Sequence, residues 1–270
     1  MTIRSTLGGV RRKVLSSLHR RPASLGNCGP IVSFSFDDFP RSAYTVGGAI
    51  LETSGVRGTY YAAAGLMNGS SEVGELFHSD DLHSLLEKGH ELGSHTFSHF
   101  SCRAVSASVF REDVKKGRNA IEKMAGIPCS NFAYPFGHVT VASKKNLQPE
   151  LASCRSIFAG VNGPDIDLNL LLANSLYGDL DQSKRAENLI AENARRRGWL
   201  IFYTHDVRPS PSDYGCTPEL FEFAVASAVK SGARVLTVGK ALTAAGLELA
   251  SSGNGIPPRR LEQIATPPRN

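Results

Sequence analysis

No run of 18 apolar residues occurs anywhere in the 270-residue chain, so no segment has the form of a membrane-spanning helix. The basic N-terminal stretch is not followed by a continuous apolar stretch, which argues against a secretory signal peptide. Cysteine is scarce and odd in number. Cys28, Cys102, Cys129, Cys154 and Cys216 are scattered, which suits reduced thiols and a cytoplasmic location better than a disulfide framework. Phosphate-binding Walker loops, Gly-x-Gly-x-x-Gly and Gly-x-Ser-x-Gly are all missing, so nucleotidase, dinucleotide and serine-hydrolase readings lack support. The metalloprotease pattern His-Glu-x-x-His starts at His90-Glu91 but fails at Ser94. The base-deaminase pattern Pro-Cys-x-x-Cys starts at Pro128-Cys129 but fails at Phe132.

What is present is an ordinary globular composition, 41% hydrophobic and 20% charged, in a chain long enough for a substantial core. The net charge of +5 is modest and locally concentrated. Arg4, Arg11, Arg12, Lys13, Arg20 and Arg21 occupy the first 21 residues with no acid among them. Leu7, Val10, Val14, Leu15 and Leu18 share that segment at helical spacing, predicting a basic amphipathic helix over 1–22. Such a helix either packs on the protein or lies on an anionic lipid surface. No nucleic-acid partner is expected.

After Pro30, β-rich apolar runs alternate with helical patterns. Strands are predicted at 31–36, 58–63, 90–94, 131–134, 156–161, 172–176, 199–204 and 233–238. Helices are predicted at 42–53, 79–88, 106–124, 182–197 and 218–230, the third stopped by Gly126 and Pro128. This alternation implies an α/β fold with a parallel sheet covered by helices, closed or nearly closed into a barrel over 23–250. A flexible tail rich in Gly, Pro and Ser is expected over 251–270. Functional groups in such barrels collect at the carboxyl ends of strands, where Asp37, Asp38, His95, Pro135 and His205 all fall.

Asp37 and Asp38 end the first apolar strand, and a charge is costly there unless paired or coordinated. Successive strand residues point to opposite sides, so both carboxylates reach one site only if the chain twists. Two carboxylates at one site suggest a metal ligand beside a general base; a solvated Asp-Asp turn is the alternative. His95 and His99 are four apart, so a helical turn would put both imidazoles on one face to grip an ion. With His78, His83 and His90 nearby, an incidental pair is the alternative there. Two His and one Asp would leave an open coordination position, as catalytic zinc requires.

Ser35-Phe36-Asp37-Asp38, His95-Thr96-Phe97-Ser98-His99, Tyr134-Pro135-Phe136-Gly137 and Phe202-Tyr203-Thr204-His205 follow in that order. Together they resemble the motifs of the metal-dependent polysaccharide deacetylases, the NodB-homology domain or carbohydrate esterase family 4. The resemblance implies a distorted (β/α)7-type barrel and hydrolysis of an N-acyl group on a sugar. It implies that Asp38, His95 and His99 bind a divalent metal ion, zinc first, with cobalt or nickel as alternatives. Asp37 would be the general base and His205 the general acid. The main-chain N–H of Phe136, in the Tyr134-Pro135-Phe136 loop, would face the oxyanion and substrate, and Thr96 would orient its loop or touch substrate.

The chain also departs from that pattern. Phe39-Pro40 stand where the family continues with Gly, and no Trp-containing fourth motif is found, since the one tryptophan is Trp199. Ala133 stands where the family has an arginine that steadies the catalytic Asp. Asp37 then needs another partner; Arg155 is the candidate, with a solvated loop arginine as the alternative. Asp206 beside His205 is read as tuning that imidazole or as an exposed turn residue. These departures suit an intracellular enzyme acting on an N-acetyl amino sugar in polysaccharide, lipopolysaccharide or lipid-linked precursor synthesis. The alternatives are a deformylase on a lipid-linked formamido sugar and a non-catalytic carbohydrate-binding barrel. The expected partners are an N-acylated glycan or glycolipid substrate and, through residues 1–22, the anionic inner face of a membrane.

Overall fold

The hexapeptide Ile31–Phe36 forms a strand with all six residues buried, and the fold is organised around it. The computed structural model describes residues 12–147 and 150–247, so the expected tail over 251–270 and residues 1–11 of the expected N-terminal helix lie outside the described residues. Along the chain the strands are β1 Pro22–Ser24, β2 Ile31–Phe36, β3 Thr59–Ala62, β4 Ser70–Ser71, β5 Gly74–Glu75 and β6 Glu91–Ser94. They continue with β7 Asn131–Ala133, β8 Ser153–Arg155, β9 Asp165–Asp167, β10 Asn174–Ser175, β11 Trp199–Thr204 and β12 Arg234–Val235.

The main sheet runs β10-β11-β2-β3-β6-β7-β8, with β12 also paired to β2. All its pairings are parallel. Parallel neighbours need crossover connections, and outer helices supply most of them. The result is a curled half-barrel of parallel strands with helices outside, of the (β/α)7 type. Strands covered on both faces read as continuous apolar runs, which is why β2 and β11 were legible end to end. Phe34 stacks on Phe202 across this pair at 5.6 Å, and Phe221 of the helix Pro218–Lys230 closes edge-on over Phe34. Inside, the Trp199 indole N–H donates to Ser33 Oγ at 2.9 Å, satisfying two buried polar atoms together.

Three predicted elements are corrected. The strand expected over 156–161 is instead Ser153–Arg155. Ser156 ends it, because its hydroxyl donates to Leu171 O and accepts from Phe158 N, taking partners the ladder would need. The helix expected over 42–53 opens as a π-helical turn, Ala43–Gly48, and becomes α-helical over Ala49–Thr53. The last strand shortens to Arg234–Val235, because Thr237 caps the helix Val238–Ala244 by accepting from Lys240 N at 3.2 Å.

Of the basic N-terminal segment, residues 12–17 are helical. Leu15 is buried beside Phe110 and Phe132. Buried Lys144 donates to Leu15 O at 2.7 Å and pairs with Asp167 at 2.7 Å. β1 then pairs antiparallel with β9. This part of the segment is therefore fastened to the barrel, while Lys13, Val14, Leu18 and Arg20 stay exposed. All five cysteines are free thiols. Among the described residues no helix is long and apolar enough to cross a membrane.

Candidate active site

Asp37 continues β2, its N–H donating to Thr204 O at 3.0 Å. The next two residues, Asp38 and Phe39, take left-handed backbone conformations (φ 61° and 52°). Residues with a Cβ rarely adopt that region, so something must hold the turn. Phe39 is fully buried and lies 5.1 Å from the Phe77 ring and 5.0 Å from Tyr60, which anchors it. The glycine expected by resemblance at this position would adopt the same backbone without strain. The turn overrides strand alternation and brings both carboxylates to one end of the barrel.

His95 and His99 also converge, but not as the spacing predicts. Residues 95–99 form a loop rather than a helical turn. Thr96 (φ 68°) and His99 (φ 56°) are left-handed, and this folds the imidazoles together with their centroids 5.0 Å apart. His95 Nε2 lies 3.4 Å and His99 Nε2 3.0 Å from Asp38 Oδ1. His95 Nδ1 faces Ala133 O at 2.8 Å; a carbonyl only accepts, so Nδ1 carries the proton and the Nε2 lone pair faces Asp38. Burial pushes the His95 pKa down to about 4, which keeps this imidazole neutral. Burial alone would raise the Asp38 pKa, but His99, His95 and His205 outweigh it and hold the carboxyl below the usual range.

This donor set fits a metal ion. Asp38 Oδ1 is buried without a hydrogen-bond partner, and one ligand atom from each of Asp38, His95 and His99 lies within 4.8 Å of the others. A neutral imidazole lone pair and an ionised carboxylate are the states a divalent cation needs.

Asp37 sits in different surroundings. It is buried and forms an ion pair with Arg155, whose side chain is wholly inaccessible. Arg155 lies on β8 in direct register with Ala133 on β7, so its guanidinium enters the barrel one strand over from Ala133. The guanidinium carbon lies between the Tyr61 and Tyr203 rings, at 5.1 and 5.0 Å, and Arg155 Nη1 donates to Ser156 O at 3.1 Å. Burial opposes the charge on Arg155, but Asp37, Tyr61 and Tyr203 together more than offset it and hold the pKa above its ordinary value.

His205, at the end of β11, completes the cluster with Nε2 4.0 Å from Asp38 Oδ2. Its Nδ1 lies 3.1 Å from Tyr214 O, and the Tyr177 and Tyr214 rings flank it. Asp206 is neither exposed nor placed against this imidazole. It is fully buried, accepting from Ser212 N and Ser212 Oγ and pairing with Arg208. It thereby closes the 206–216 loop, and a side chain at Gly215 would collide with it at 2.4 Å. Tyr214 O, the atom that orients His205, was missed from sequence because a main-chain carbonyl carries no residue signal.

The residues expected around the substrate are distributed unevenly. Pro135–Gly137 form a single 3-10 turn with Phe136 left-handed (φ 58°), its ring 4.5 Å from His99 and 56% exposed. Tyr134 does not present its ring there; it is packed among Phe132, Phe110 and Cys154 in the core. Thr96 is buried as well. Among the described residues eight non-glycine positions have positive φ, and five of them, Asp38, Phe39, Thr96, His99 and Phe136, ring this one site. Strain concentrated at one place points to function.

Residues 26–149 match the family model described as polysaccharide deacetylase. Over that segment, a little under half of the chain, the sequence resembles the polysaccharide deacetylase family. The family 4 acetyl xylan esterase from Clostridium thermocellum, in complex with a cobalt ion, is similar in fold: 20% identity, TM-score 0.55, covering 81% of this chain and 93% of that one. The Xyl-CE4 domain of a xylanase from the hindgut metagenome of Trinervitermes trinervoides gives 18%, 0.54, 82% and 93%. A family 4 pseudoenzyme from Bacillus anthracis gives 14%, 0.50, 78% and 65%. A search of curated protein sequences returned no significant match. The family match ends before Arg155 and His205, so their placement rests on the geometry above.

Proposed function

We propose that this chain is a metal-dependent hydrolase. It removes an N-acyl group, N-acetyl first, from an amino sugar in polysaccharide, lipopolysaccharide or lipid-linked precursor synthesis. The observation that carries this reading is the division between adjacent carboxylates. Asp38 Oδ1 faces two imidazole nitrogens with no hydrogen bond of its own, while Asp37 is paired with a guanidinium. Asp38, His95 and His99 would hold zinc, or cobalt or nickel in its place. Such an ion would lower the pKa of a water and polarise the acyl carbonyl.

The remaining work belongs to the chain's own groups. Asp37 takes the proton from the attacking water, and its ion pair with Arg155 holds it in place. His205, with Nδ1–H held by Tyr214 O, presents Nε2 to protonate the departing amine. The main-chain N–H of Phe136 faces the developing oxyanion, a kind of contact that contributes on the order of 3 kcal/mol. Pro135 fixes that turn, and Thr96 and Tyr134 support the loops on which the site is built. A non-catalytic barrel would be favoured by Ala133 alone, but Arg155 supplies a guanidinium at the neighbouring position.

The finer placement is cytoplasmic, supported by five free thiols, with the barrel over 23–250 as the working domain. Contact with the anionic inner membrane face through residues 1–22 is supported by their basic charge and by exposed Lys13, Val14, Leu18 and Arg20. Lys13→Glu/Arg20→Glu should then reduce co-sedimentation with anionic vesicles; unchanged sedimentation would remove the membrane role. The reaction itself is tested by amine release from N-acetyl and N-formyl sugars, free and carrier-linked, by zinc-, cobalt- or nickel-loaded protein. No release from any of them would defeat the proposal.

A further inference from the structure

The helix Ala107–Ala125 lies against the back of the His95–His99 loop and meets it through Asp113, Gly117 and Lys116. Asp113 is buried in the middle of that helix. Its Oδ2 accepts from Phe97 N at 3.2 Å and Ser98 N at 3.0 Å, and its Oδ1 accepts from Ser98 Oγ at 2.9 Å. One turn on, Gly117 lets helix and loop backbones touch. A Cβ there would lie 2.4 Å from Thr96 C and O and 2.7 Å from Phe97 N. Lys116 adds its ammonium 3.7 Å from the Phe97 ring centroid.

The loop held in this way contains both strained residues of the histidine pair, Thr96 and His99. Left-handed residues with side chains cost on the order of 1–3 kcal/mol each and persist only where the surroundings over-determine them. The main-chain N–H groups of Phe97 and Ser98 lie between the two strained positions, and a carboxylate is the one common side chain that accepts from both and from the serine hydroxyl as well.

We infer that Asp113 is a positioning residue for the metal centre: by gripping Phe97 and Ser98 it fixes His99 in the left-handed turn that brings Nε2 to Asp38. Asp113 touches neither substrate nor the donor atoms; it acts through the loop backbone. Gly117 is its counterpart, the space that lets the helix come close enough for the carboxylate to reach. This inference rests on the metal-binding reading, and the experiment separates the two.

The test measures the zinc dissociation constant by chelator competition, the melting temperature without metal, and hydrogen exchange at the Ser98 amide without metal. These are compared among the unsubstituted protein, Asp113→Ala, Asp113→Asn, Ser98→Ala and a control, Ile121→Val, on the same helix. Asp113→Ala is expected to weaken zinc binding about 10- to 100-fold, the range typical of supporting groups behind metal ligands. It is also expected to speed Ser98 exchange in the metal-free protein. Asp113→Asn keeps one acceptor oxygen and should lose less, and Ser98→Ala, which removes a single bond, least. Ile121→Val should lower the melting temperature and leave zinc affinity unchanged. Should Asp113→Ala not fold, the order Asp113→Asn, Ser98→Ala, Ile121→Val carries the test. Lower melting temperatures with wild-type zinc affinity and Ser98 protection would overturn the inference. Failure of the unsubstituted protein to bind zinc, cobalt or nickel would instead overturn the metal reading.

Discussion

The two halves of the site use adjacent residues in opposite ways. On one half, Asp38 is turned by a left-handed backbone toward two imidazoles, and both the carboxylate and His99 depend on strained turns. On the other, Asp37 donates its N–H to Thr204 O at the end of the neighbouring strand and is matched by a fully buried guanidinium set between two tyrosine rings. The metal half is made of loops and leaves a buried carboxylate oxygen without a hydrogen bond; the base half is made of strands and pairs its charge. An open donor set is suited to take up a cation, and a closed ion pair is suited to hold a carboxylate in one position. Position along the strand separates these roles by one residue.

The comparison can be broken at several points. Removing metal with a chelator should abolish amine release, and zinc, cobalt or nickel should restore it; activity that persists in metal-free protein would erase the distinction. Asp37→Asn should lower amine release by about 10²- to 10⁴-fold, the usual worth of a positioned base, as read by kcat on an N-acetyl sugar that is turned over. Arg155→Leu should destabilise the fold by about 3–5 kcal/mol in denaturant melts, because it leaves a buried carboxylate unpaired. Adding Asp37→Asn to that variant should recover part of the loss, and no recovery would mean that Arg155 acts by packing alone.

A smaller effect distinguishes the halves by pH. The His95 pKa is lowered from 6.5 to about 4 in the folded protein, so between those values the unfolded chain binds more protons. Stability of the metal-free protein should therefore fall on acidification from pH 6.5 to 4, His95 accounting for up to about 3 kcal/mol. Asp38, held below the ordinary carboxylate range, adds its own loss only at more acidic pH. His95→Asn should flatten this slope in urea melts taken across that window; an unchanged slope would assign the titration elsewhere.

Much of the barrel was legible because strands buried on both faces are written as continuous apolar runs, as at Ile31–Phe36 and Trp199–Thr204. Short strands were harder. Ser153–Arg155 pairs with Asn131–Ala133, and Ser156 turns instead to Leu171, 15 residues on, so local periodicity misplaced the strand. The histidine spacing pointed to the right pair through the wrong geometry, since a loop with positive φ at Thr96 and His99 has no periodicity to read. Arg155 was legible as a residue type near the right place; that it lies level with Ala133 is a fact of strand register, absent from a linear sequence. Asp113 and Tyr214 O were not legible, because one looks like a helix-surface acid and the other is main chain.

The unequal roles of the two carboxylates are tested most directly by zinc stoichiometry in Asp37→Asn and Asp38→Asn, measured side by side on folded, dialysed protein. The account predicts about one zinc per chain in Asp37→Asn and almost none in Asp38→Asn. Equal zinc in both variants, or its loss from Asp37→Asn alone, would contradict it.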